Sequence, residues 1–412
     1  ITRVVGLIIE AQGPEVSIGE LCLIKHQQKT IRAEVVGFDN NKVLLMPIGD
    51  MEGITPGARV VATGERMTVK VGEELLGHIL DGLGRPVGKE LVPMPGLEEM
   101  PLKAEPPDPL TRERITQPLA LGIRSIDGLL TCGRGQRIGI FAGSGVGKST
   151  LMGMAARNTE ADINVIGLVG ERGREVRDFI ERDLGEEALK RSVVVVATSD
   201  KPALVRVKAA LVTTAIAEYF REKGYDVLLM MDSVTRVAMA LREVGLATGE
   251  PPTTRGYPPS VFAELPKLLE RTGTSKNGSI TALYTVLVEG DDFNEPVSDT
   301  VRGILDGHIV LSRELASRNH YPAIDVLASV SRVMPEVTDL THQEAAGEIK
   351  KLLSEYRQAE DLINIGAYQP GSNPVVDRAI SKIELINDFL QQGINEKAEY
   401  KDTVSSLIEI AR

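Results

Sequence analysis

The chain has 412 residues, with 47 Lys and Arg against 58 Asp and Glu, so its formal net charge at pH 7 is −11. The length predicts two or three domains with a substantial core, and the acidic balance argues against a dedicated nucleic-acid-binding protein. The two cysteines, Cys22 and Cys132, are far apart, and no apolar run reaches the roughly 18 residues of a membrane span, so we expect neither a disulfide scaffold nor a transmembrane helix and favour a reducing cytosol.

The first 72 residues predict a small β-barrel domain, because short runs of β-forming residues alternate there with Gly and Pro. We expect its strands at residues 4–10, 15–18, 21–25, 30–36, 42–46 and 59–62. Residues 82–109, which include the run PMPG at 93–96, are rich in Pro and Gly and predict a surface linker. Because the chain begins with Ile1 rather than Met, we expect that an N-terminal segment is missing from it.

Residues 73–340 predict an α/β core domain, because fully apolar runs alternate with helical stretches such as 203–223. Strands that are apolar on both faces are typical of a parallel sheet covered by βαβ crossovers. We expect these strands at residues 136–141, 163–169, 193–198, 227–231 and 280–288. Residues 341–412 predict a helical C-terminal domain with helices at 341–363, 374–390 and 396–411.

The strongest local signal is the sequence AGSGVGKS at 142–149, which follows one apolar strand and precedes a helical run. It matches the Walker A loop at every position except the first, where Ala142 replaces Gly. Glycines let backbone N–H groups approach phosphate closely, a helix N-terminus adds positive potential, Lys148 can reach the terminal phosphates, and Ser149 can bind Mg²⁺. The nucleotide-binding residues expected from this loop are Gly143, Ser144, Gly145, Val146, Gly147, Lys148, Ser149 and Thr150.

Carboxylates follow two further strands. Since the strands of a parallel sheet end at the same edge, residues just beyond their ends converge there. Asp232 follows the strand at 227–231 in the manner of a Walker B motif and is expected to hold Mg²⁺ through water. Glu171 follows the strand at 163–169 and could orient the water that attacks a phosphate. From the residues alone, the alternative is a surface carboxylate within the charged segment 171–177.

The segment 322–331 reads PAIDVLASVS and matches the signature P-A-[hydrophobic]-D-x-x-x-S-x-S. Through this signature the chain resembles the rotary ATPase α/β subunit superfamily. The stretches 170–180 (GERGREVRDFI), 248–271, 288–313 and 318–332 resemble more closely the flagellum-specific ATPases of the type III protein export apparatus. The resemblance implies an α/β fold with a RecA-like P-loop core, and ATP hydrolysis that powers or gates the export of flagellar proteins.

The resemblance also implies roles for individual charged residues. It implies that Glu171 is the catalytic carboxylate and that Arg172 and Arg236 surround the γ-phosphate, beside Lys148. Arg332, directly after the signature, matches the arginine finger that each subunit donates to its neighbour's nucleotide. Such a finger implies a hexameric ring.

Two aromatic residues are expected at the adenine, in a chain whose aromatic content is only 4%. By resemblance, Tyr321 stacks on the base, and Phe389 of the helical domain closes the pocket. Related catalytic subunits carry a pattern like F-L-x-Q-P-F, and this chain has Ile394 at the last position. We therefore expect a looser cover over the base.

The region 366–373 lacks the acidic run that energy-transducing rotary subunits carry, which favours the export branch. The resemblance implies a cytoplasmic protein, peripheral at the inner membrane, whose partners are stator-like and stalk-like export proteins, export substrates and chaperones, and an export gate. Without its N-terminal segment, the fragment is expected to be largely monomeric. The alternatives are an ATPase of a virulence secretion system, a catalytic rotary subunit, a noncatalytic ring subunit, or an RNA-translocating hexameric motor.

Overall fold

The computed structural model describes residues 1–26, 29–88, 95–288, 290 and 292–412. Its N-terminal part is a six-stranded antiparallel sheet in the order β1-β2-β5-β4-β3-β6. The strands are β1 Arg3–Val5, β2 Ile8–Ala11, β3 Glu20–His26, β4 Lys29–Asp39, β5 Lys42–Pro47 and β6 Arg59–Arg66. The terminal amine of Ile1 donates to the carbonyl of Ala58 over 2.7 Å, and the N–H of Gly57 donates to the carbonyl of Ile1 over 2.9 Å. These hydrogen bonds join the segment before β1 to the residues before β6. The two edge strands of the sheet therefore meet, and the barrel closes.

Two details of the barrel differ from the expectation. The run 4–10 is not one strand but the hairpin of β1 and β2, which turns at Gly6 with a φ of 56°. Residues 15–18 form no strand, and Pro14, which has no backbone donor, directly precedes them. Both segments contain β-branched residues, so composition alone could not separate a turn from a strand.

The segment 82–109 is only partly a linker. The next strands along the chain are β7 Thr68–Val71, β8 Ile79–Asp81 and β9 Glu98–Pro101. β7 and β9 pair as an antiparallel ribbon, and the buried Leu102 follows directly, its carbonyl accepting a hydrogen bond of 2.8 Å from Arg271. Residues 89–94 of the expected linker lie outside the described residues.

A mainly parallel, nine-stranded sheet forms the core of the molecule, in the order β17-β16-β10-β15-β13-β11-β12-β8, with β14 paired to β15. Its further strands are β10 Arg137–Ala142, β11 Ile163–Val169, β12 Ser192–Ala197, β13 Asp226–Asp232, β14 Gly273–Thr274, β15 Ser279–Leu287, β16 Gly307–Leu311 and β17 Val330–Ser331. The five strands predicted from apolar runs match β10, β11, β12, β13 and β15, shifted by at most one residue at either end. The fold class predicted from the sequence is therefore confirmed.

Helices cover both faces of this sheet. Ile166 of β11 lies in one hydrophobic cluster and its neighbour Val165 lies in a second, so alternate side chains of the strand face opposite layers. The helices are α1 Arg124–Leu129, α2 Lys148–Asn158, α3 Gly173–Asp178, α4 Gly185–Leu189, α5 Ala203–Glu222, α6 Val234–Ala247, α7 Pro259–Leu269, α8 Pro296–Ile304, α9 Arg313–Ser317 and α10 Met334–Val337, with a π-helical segment at Phe179–Leu184 and single 3₁₀ turns at Glu73–Leu75 and Thr254–Gly256.

The C-terminal part is helical: α11 Leu340–Asn364, α12 Pro374–Leu390 and α13 Tyr400–Ala411. The prediction for α12 matches exactly in its bounds, whereas α13 begins four residues later than predicted. Ile349 of α11 shares a hydrophobic cluster with Ile126 of α1, so this helical part packs directly on the core. None of the helices that the structure describes is long and apolar enough to cross a membrane.

Candidate active site

Residues 143–147 connect the end of β10 to the start of α2. Gly145 and Gly147 have φ angles of 79° and 91°, in the left-handed region that favours glycine. Gly147 is the N-cap of α2 and has no side chain to accept hydrogen bonds from the first N–H groups of that helix. These donors and the helix dipole suit a phosphate group. Ala142, which replaces the first Walker glycine, is the buried last residue of β10 and leaves this geometry intact.

Three charged side chains meet beside this loop. Glu171 follows β11, and Asp232 ends β13, which is the neighbouring strand of the sheet. Lys148 Nζ lies 2.5 Å from Asp232 Oδ1 and 3.6 Å from Glu171 Oε1. The hydroxyl of Thr285 on β15 donates a hydrogen bond of 2.7 Å to the same Asp232 oxygen. The structure thus brings together the residues that the strand ends predicted to converge.

Glu171 is buried, with 8% of its surface exposed. Burial and the nearby Asp232 carboxylate raise the pKa of Glu171 to about 7, although Lys148 acts in the opposite direction. Its Oε1 atom is buried and accepts a hydrogen bond from no residue that the structure describes. A carboxylate with an oxygen that accepts no hydrogen bond and with a pKa near neutrality is suited to holding a water molecule and taking its proton.

Lys148 remains cationic in this site. Burial alone would lower the pKa of its ammonium group, but Asp232 and Glu171 outweigh burial and raise that pKa above the usual value. One ammonium group therefore faces two carboxylates, which leaves negative charge for a further cation to neutralise.

The residues beside Lys148 fit Mg²⁺. The Ser149 hydroxyl and the Asp232 carboxylate are hard oxygen donors, the type that this ion binds. Among the residues at 1–26, 29–88, 95–288, 290 and 292–412, no group of three or more His, Cys, Asp or Glu side chains could hold a metal ion by itself. A cation at Ser149 and Asp232 would therefore complete its shell with water and phosphate oxygens, as Mg²⁺ does in nucleotide sites.

The two predicted γ-phosphate arginines differ in position. Arg236 belongs to α6 and packs on Gly170, where an added Cβ would lie 2.8 Å from Arg236 Cβ, so glycine is required there. Its Nε is buried and donates to no described residue. Arg172 is exposed instead, and its Nη1 lies 3.5 Å from the Glu175 carboxylate. The structure places Arg236 at the loop after β11 and turns Arg172 towards solvent.

A cavity of about 590 Å³ lies beside the P-loop. Its walls come from the loop and α2, from residues 319–323, and from residues 391–394 between α12 and α13. Tyr321 Cε1 lies 3.5 Å from the position that a Cβ on Gly147 would take, and Tyr321 is 39% exposed. Part of the Tyr321 ring is thus accessible from the cavity, and stacking on a base stays a prediction for this residue.

Gln392 joins the cavity wall to the core. Its N–H donates to the carbonyl of Tyr321 over 2.9 Å, its Oε1 accepts from the N–H of Arg124 over 2.8 Å, and its Nε2 donates to the carbonyl of Gly122 over 2.8 Å. Gln392 was not among the predicted site residues. The available signal was its place two residues after α12, inside the stretch that matched the adenine-pocket pattern.

Phe389 is not among the residues that line the cavity, and its role at the adenine stays a prediction. It is 5% exposed, and its Cζ lies 2.9 Å from the position that a Cβ on Gly128 would take. The ring therefore packs α12 against α1. Ile394, which is 54% exposed, lines the cavity instead.

Arg332 lies at the opposite end of the sheet from the P-loop. It follows β17, and its N–H donates over 3.0 Å to the carbonyl of Asp306. The N–H of Asp306 in turn donates over 2.9 Å to the carbonyl of Arg137 at the start of β10. Strands rise about 3.3 Å per residue, so the five steps from Arg137 to Ala142 span about 17 Å. Arg332 is exposed there, beyond the reach of its own P-loop and available to a second molecule.

Models of known protein families match three parts of the chain. The ATP synthase alpha/beta family matches over residues 1–64 with its beta-barrel domain and over 122–331 with its nucleotide-binding domain, and the T3SS EscN ATPase C-terminal domain matches over 338–409. The flagellum-specific ATP synthase of Bacillus subtilis (strain 168) is 59% identical, over 100% of this chain and 94% of the relative.

Solved structures agree with these matches. The assembled ATPase EscN from the enteropathogenic E. coli type III secretion system has a TM-score of 0.95 and 51% identity, over 100% of this chain and 99% of that one. The structure of EscN in complex with its central stalk EscO has a TM-score of 0.93 and 50% identity, with the same coverage. From its barrel, its P-loop core, its helical C-terminal part and these relatives, the chain belongs to the flagellar and type III secretion ATPases of the ATP synthase alpha/beta family.

Proposed function

We propose that this chain hydrolyses ATP to ADP and phosphate and thereby powers or gates the export of flagellar proteins through a type III secretion apparatus. The observation that carries this proposal is the convergence of Lys148, Asp232 and Glu171 beside the P-loop. The cavity next to Tyr321 offers room for the base of the nucleotide. The 59% identity to a flagellum-specific relative supports the flagellar branch.

The P-loop and Lys148 bind the phosphates in this mechanism. Phosphate oxygens accept hydrogen bonds from the N–H groups of residues 143–150 at the N-terminus of α2, and Lys148 neutralises the terminal phosphate. Lys148 then shifts part of its contact from Asp232 to the nucleotide, which leaves Asp232 free for another cation. Ser149 and Asp232 would hold Mg²⁺, which would supply charge neutralisation to the bound phosphates.

Glu171 orients the attacking water. Its Oε1 accepts a hydrogen bond from the water, and its raised pKa lets it take the proton as the bond to phosphorus forms. Arg236, with its unpartnered Nε, stabilises the charge on the γ-phosphate. Arg172 joins it after leaving Glu175, since only an exposed and weakly held ion pair has to break.

Arg332 completes the site of a neighbouring subunit. Its exposed side chain lies about 17 Å along β10 from its own P-loop, so it serves a second copy of the chain. An arginine supplied in this way is worth about 10³–10⁵ in rate. The active form is therefore a homo-oligomer, a hexameric ring by analogy with the superfamily, and the relative EscN is itself described as assembled.

The export role implies further partners. EscN forms a complex with its central stalk EscO, and a stalk-like protein is the corresponding partner here. Regulatory stator-like proteins, export substrates with their chaperones, and a membrane export gate complete the set, with no role for nucleic acid. The protein works in the cytoplasm, peripheral at the cytoplasmic face of the inner membrane.

A virulence secretion system is the second candidate, because EscN is 51% identical over the whole chain. Expression in a strain that lacks its own flagellar ATPase separates the two candidates. Restored motility supports flagellar export, whereas restored secretion only in a virulence-system mutant overturns it. RNA-stimulated hydrolysis with tight, salt-sensitive RNA binding would instead favour an RNA motor.

The biochemical test is the ATPase rate per subunit as a function of protein concentration. We expect a steep rise, since assembly supplies Arg332 to each site. Mixing inactive Glu171→Gln subunits with inactive Arg332→Ala subunits should then restore turnover, because one interface can combine an intact Glu171 with an intact Arg332. A rate independent of concentration together with no recovery on mixing contradicts the trans assignment.

A further inference from the structure

Gln136 is a buried amide at the residue before β10, and none of its surface is exposed. Its Oε1 accepts a hydrogen bond of 2.8 Å from the N–H of Gly133. Its Nε2 donates to the carbonyl of Asp306 over 3.1 Å and to the hydroxyl of Ser331 over 3.0 Å. A satisfied amide of this kind is costly to disturb, because its loss leaves the buried N–H of Gly133 without this acceptor and removes one hydrogen bond each from the half-buried Asp306 and Ser331.

The partners of Gln136 flank Arg332 along the chain and in space. Ser331 precedes Arg332, and its hydroxyl donates to the carbonyl of Thr131 over 2.8 Å while it accepts from Gln136. The carbonyl of Asp306 accepts both from Gln136 and from the N–H of Arg332, over 3.1 and 3.0 Å. We call Gln136, Asp306 and Ser331 the clamp. It holds the backbone immediately before Arg332 and the N–H of Arg332 itself.

The clamp is anchored to the start of the strand that leads to the P-loop. The Asp306 carboxylate accepts from the N–H and Nε of Arg137, each over 3.0 Å, and from its Nη2 over 3.1 Å. These bonds tie Asp306 to the first residue of β10. The segment that carries Arg332 is thereby fixed to a central strand of the sheet rather than left as a free edge.

The aim of Arg332 depends on this backbone. The side chain of Arg332 is exposed, so no packing around the guanidinium group holds it in place. The position that this group can reach therefore depends on the position of the Arg332 Cα. A catalytic group has to be held within about 0.5 Å of its productive position. A misplacement of about 1 Å can cost about 10²-fold in rate.

We propose that Gln136 is a positioning residue that acts through Asp306 and Ser331 to aim Arg332 at the nucleotide of the neighbouring subunit. The proposal rests on the trans role of Arg332 proposed above. It gives a structural role to Ser331, the second serine of the PAIDVLASVS segment. The hydroxyl of Ser331 accepts a hydrogen bond from Gln136 and donates one to the carbonyl of Thr131.

The test uses Gln136→Met in mixed rings. Met has a similar length but cannot replace the amide hydrogen bonds. In homomeric rings we expect turnover to fall by about 10- to 100-fold while nucleotide affinity, measured by calorimetry, stays unchanged. Mixing with inactive Glu171→Gln subunits should restore turnover, because those subunits supply a well-placed Arg332 to an intact site. No recovery on mixing, or a loss of nucleotide affinity, overturns the proposal in favour of an effect on the subunit's own P-loop.

Two further variants complete the test, one as a control and one as a substitute for Gln136→Met. Asn164→Leu removes another fully buried amide, which donates to Ala156 and Ser192 over 3.0 and 3.2 Å from β11. It should lower stability without any rate loss that mixing repairs, and recovery of such a loss by mixing would overturn the proposal. If Gln136→Met does not fold, Ser331→Ala breaks the same clamp through a half-buried hydroxyl and should show the same recovery.

A reference pair separates this proposal from the one it rests on. Arg332→Ala mixed with Glu171→Gln measures the trans role of Arg332 alone. If that pair shows no recovery, the trans role fails and Gln136 loses its target. If that pair recovers and Gln136→Met with Glu171→Gln does not, only the positioning role of Gln136 fails.

Discussion

The phosphate end and the adenine end of the nucleotide cavity are built in different ways. At the phosphate end, Glu171 and Asp232 follow or end strands of one sheet and are buried, and the half-buried Lys148 at the start of α2 lies beside both. At the adenine end, Tyr321 and Ile394 come from loops and are 39% and 54% exposed. The sheet edge therefore fixes the positions of the two carboxylates, whereas the surface for the base depends on how the helical C-terminal part docks through residues such as Gln392.

The largest expected effect lies at the phosphate end. Glu171→Gln keeps the size of the side chain but removes the base that takes a proton from water, so we expect turnover to fall by about 10²–10⁴-fold. Nucleotide affinity should be retained, because Lys148 and the loop still hold the phosphates. Steady-state hydrolysis and calorimetric binding of ADP measure the two quantities separately.

The matched control for that change is Glu181→Gln. Glu181 is an exposed carboxylate in the segment after α3, where it pairs with Arg177 over 2.8 Å. Its removal should leave turnover unchanged. If both variants lose activity equally, charge in this segment rather than the position of Glu171 explains the loss.

Phe389→Ala tests whether Phe389 stabilises the core or contributes to the adenine end. Because Phe389 packs against Gly128 in the core, we expect a loss of about 3–5 kcal/mol in the free energy of unfolding. Adenine nucleotide affinity should not change at temperatures where the variant is folded. Denaturant unfolding and calorimetry give both values, and a stable variant with weakened ADP binding would restore Phe389 to the adenine site.

The contacts of Phe389 could not be predicted from the sequence. Glu171 and Asp232 could be placed correctly, because parallel strands end at one edge whatever else the chain does. Phe389 could not, because the side of α12 that faces inward depends on contact with α1, which lies about 260 residues earlier in the chain. Gln392 was missed for the same reason, since its partners Tyr321 and Gly122 are distant in sequence.

The fold shows the same division. Long apolar runs such as 163–169 became strands with the predicted bounds, because burial on both faces leaves little freedom. The run 4–10 became a hairpin around Gly6, since a single positive φ reverses the chain without changing its apolar pattern. β16, which was not predicted, pairs with β10 and brings Arg332 to the far end of the sheet.

Tyr321→Ala should produce an intermediate effect, confined to the adenine end. Stacking of a base on an aromatic ring is worth about 1–3 kcal/mol, so we expect ADP affinity to weaken by about 5- to 150-fold. Tyr321→Phe keeps the ring and should bind normally. Calorimetry with both variants checks this, and an unchanged affinity for Tyr321→Ala would show that the base lies elsewhere in the cavity of about 590 Å³.

The smallest expected effect is a pH dependence that belongs to the phosphate end alone. Burial and Asp232 raise the pKa of Glu171 to about 7, and only the ionised carboxylate can take a proton from water. kcat/KM should therefore fall as the pH drops through about 7, reaching about one tenth at one pH unit below that value. The residual rate of Glu171→Gln, measured over the same range, subtracts the titration of the nucleotide itself. A wild-type profile that stays parallel to the profile of that variant would mean that Glu171 is not the titrating base. A difference between the two profiles that is confined to acidic pH would place the titrating group at the phosphate end.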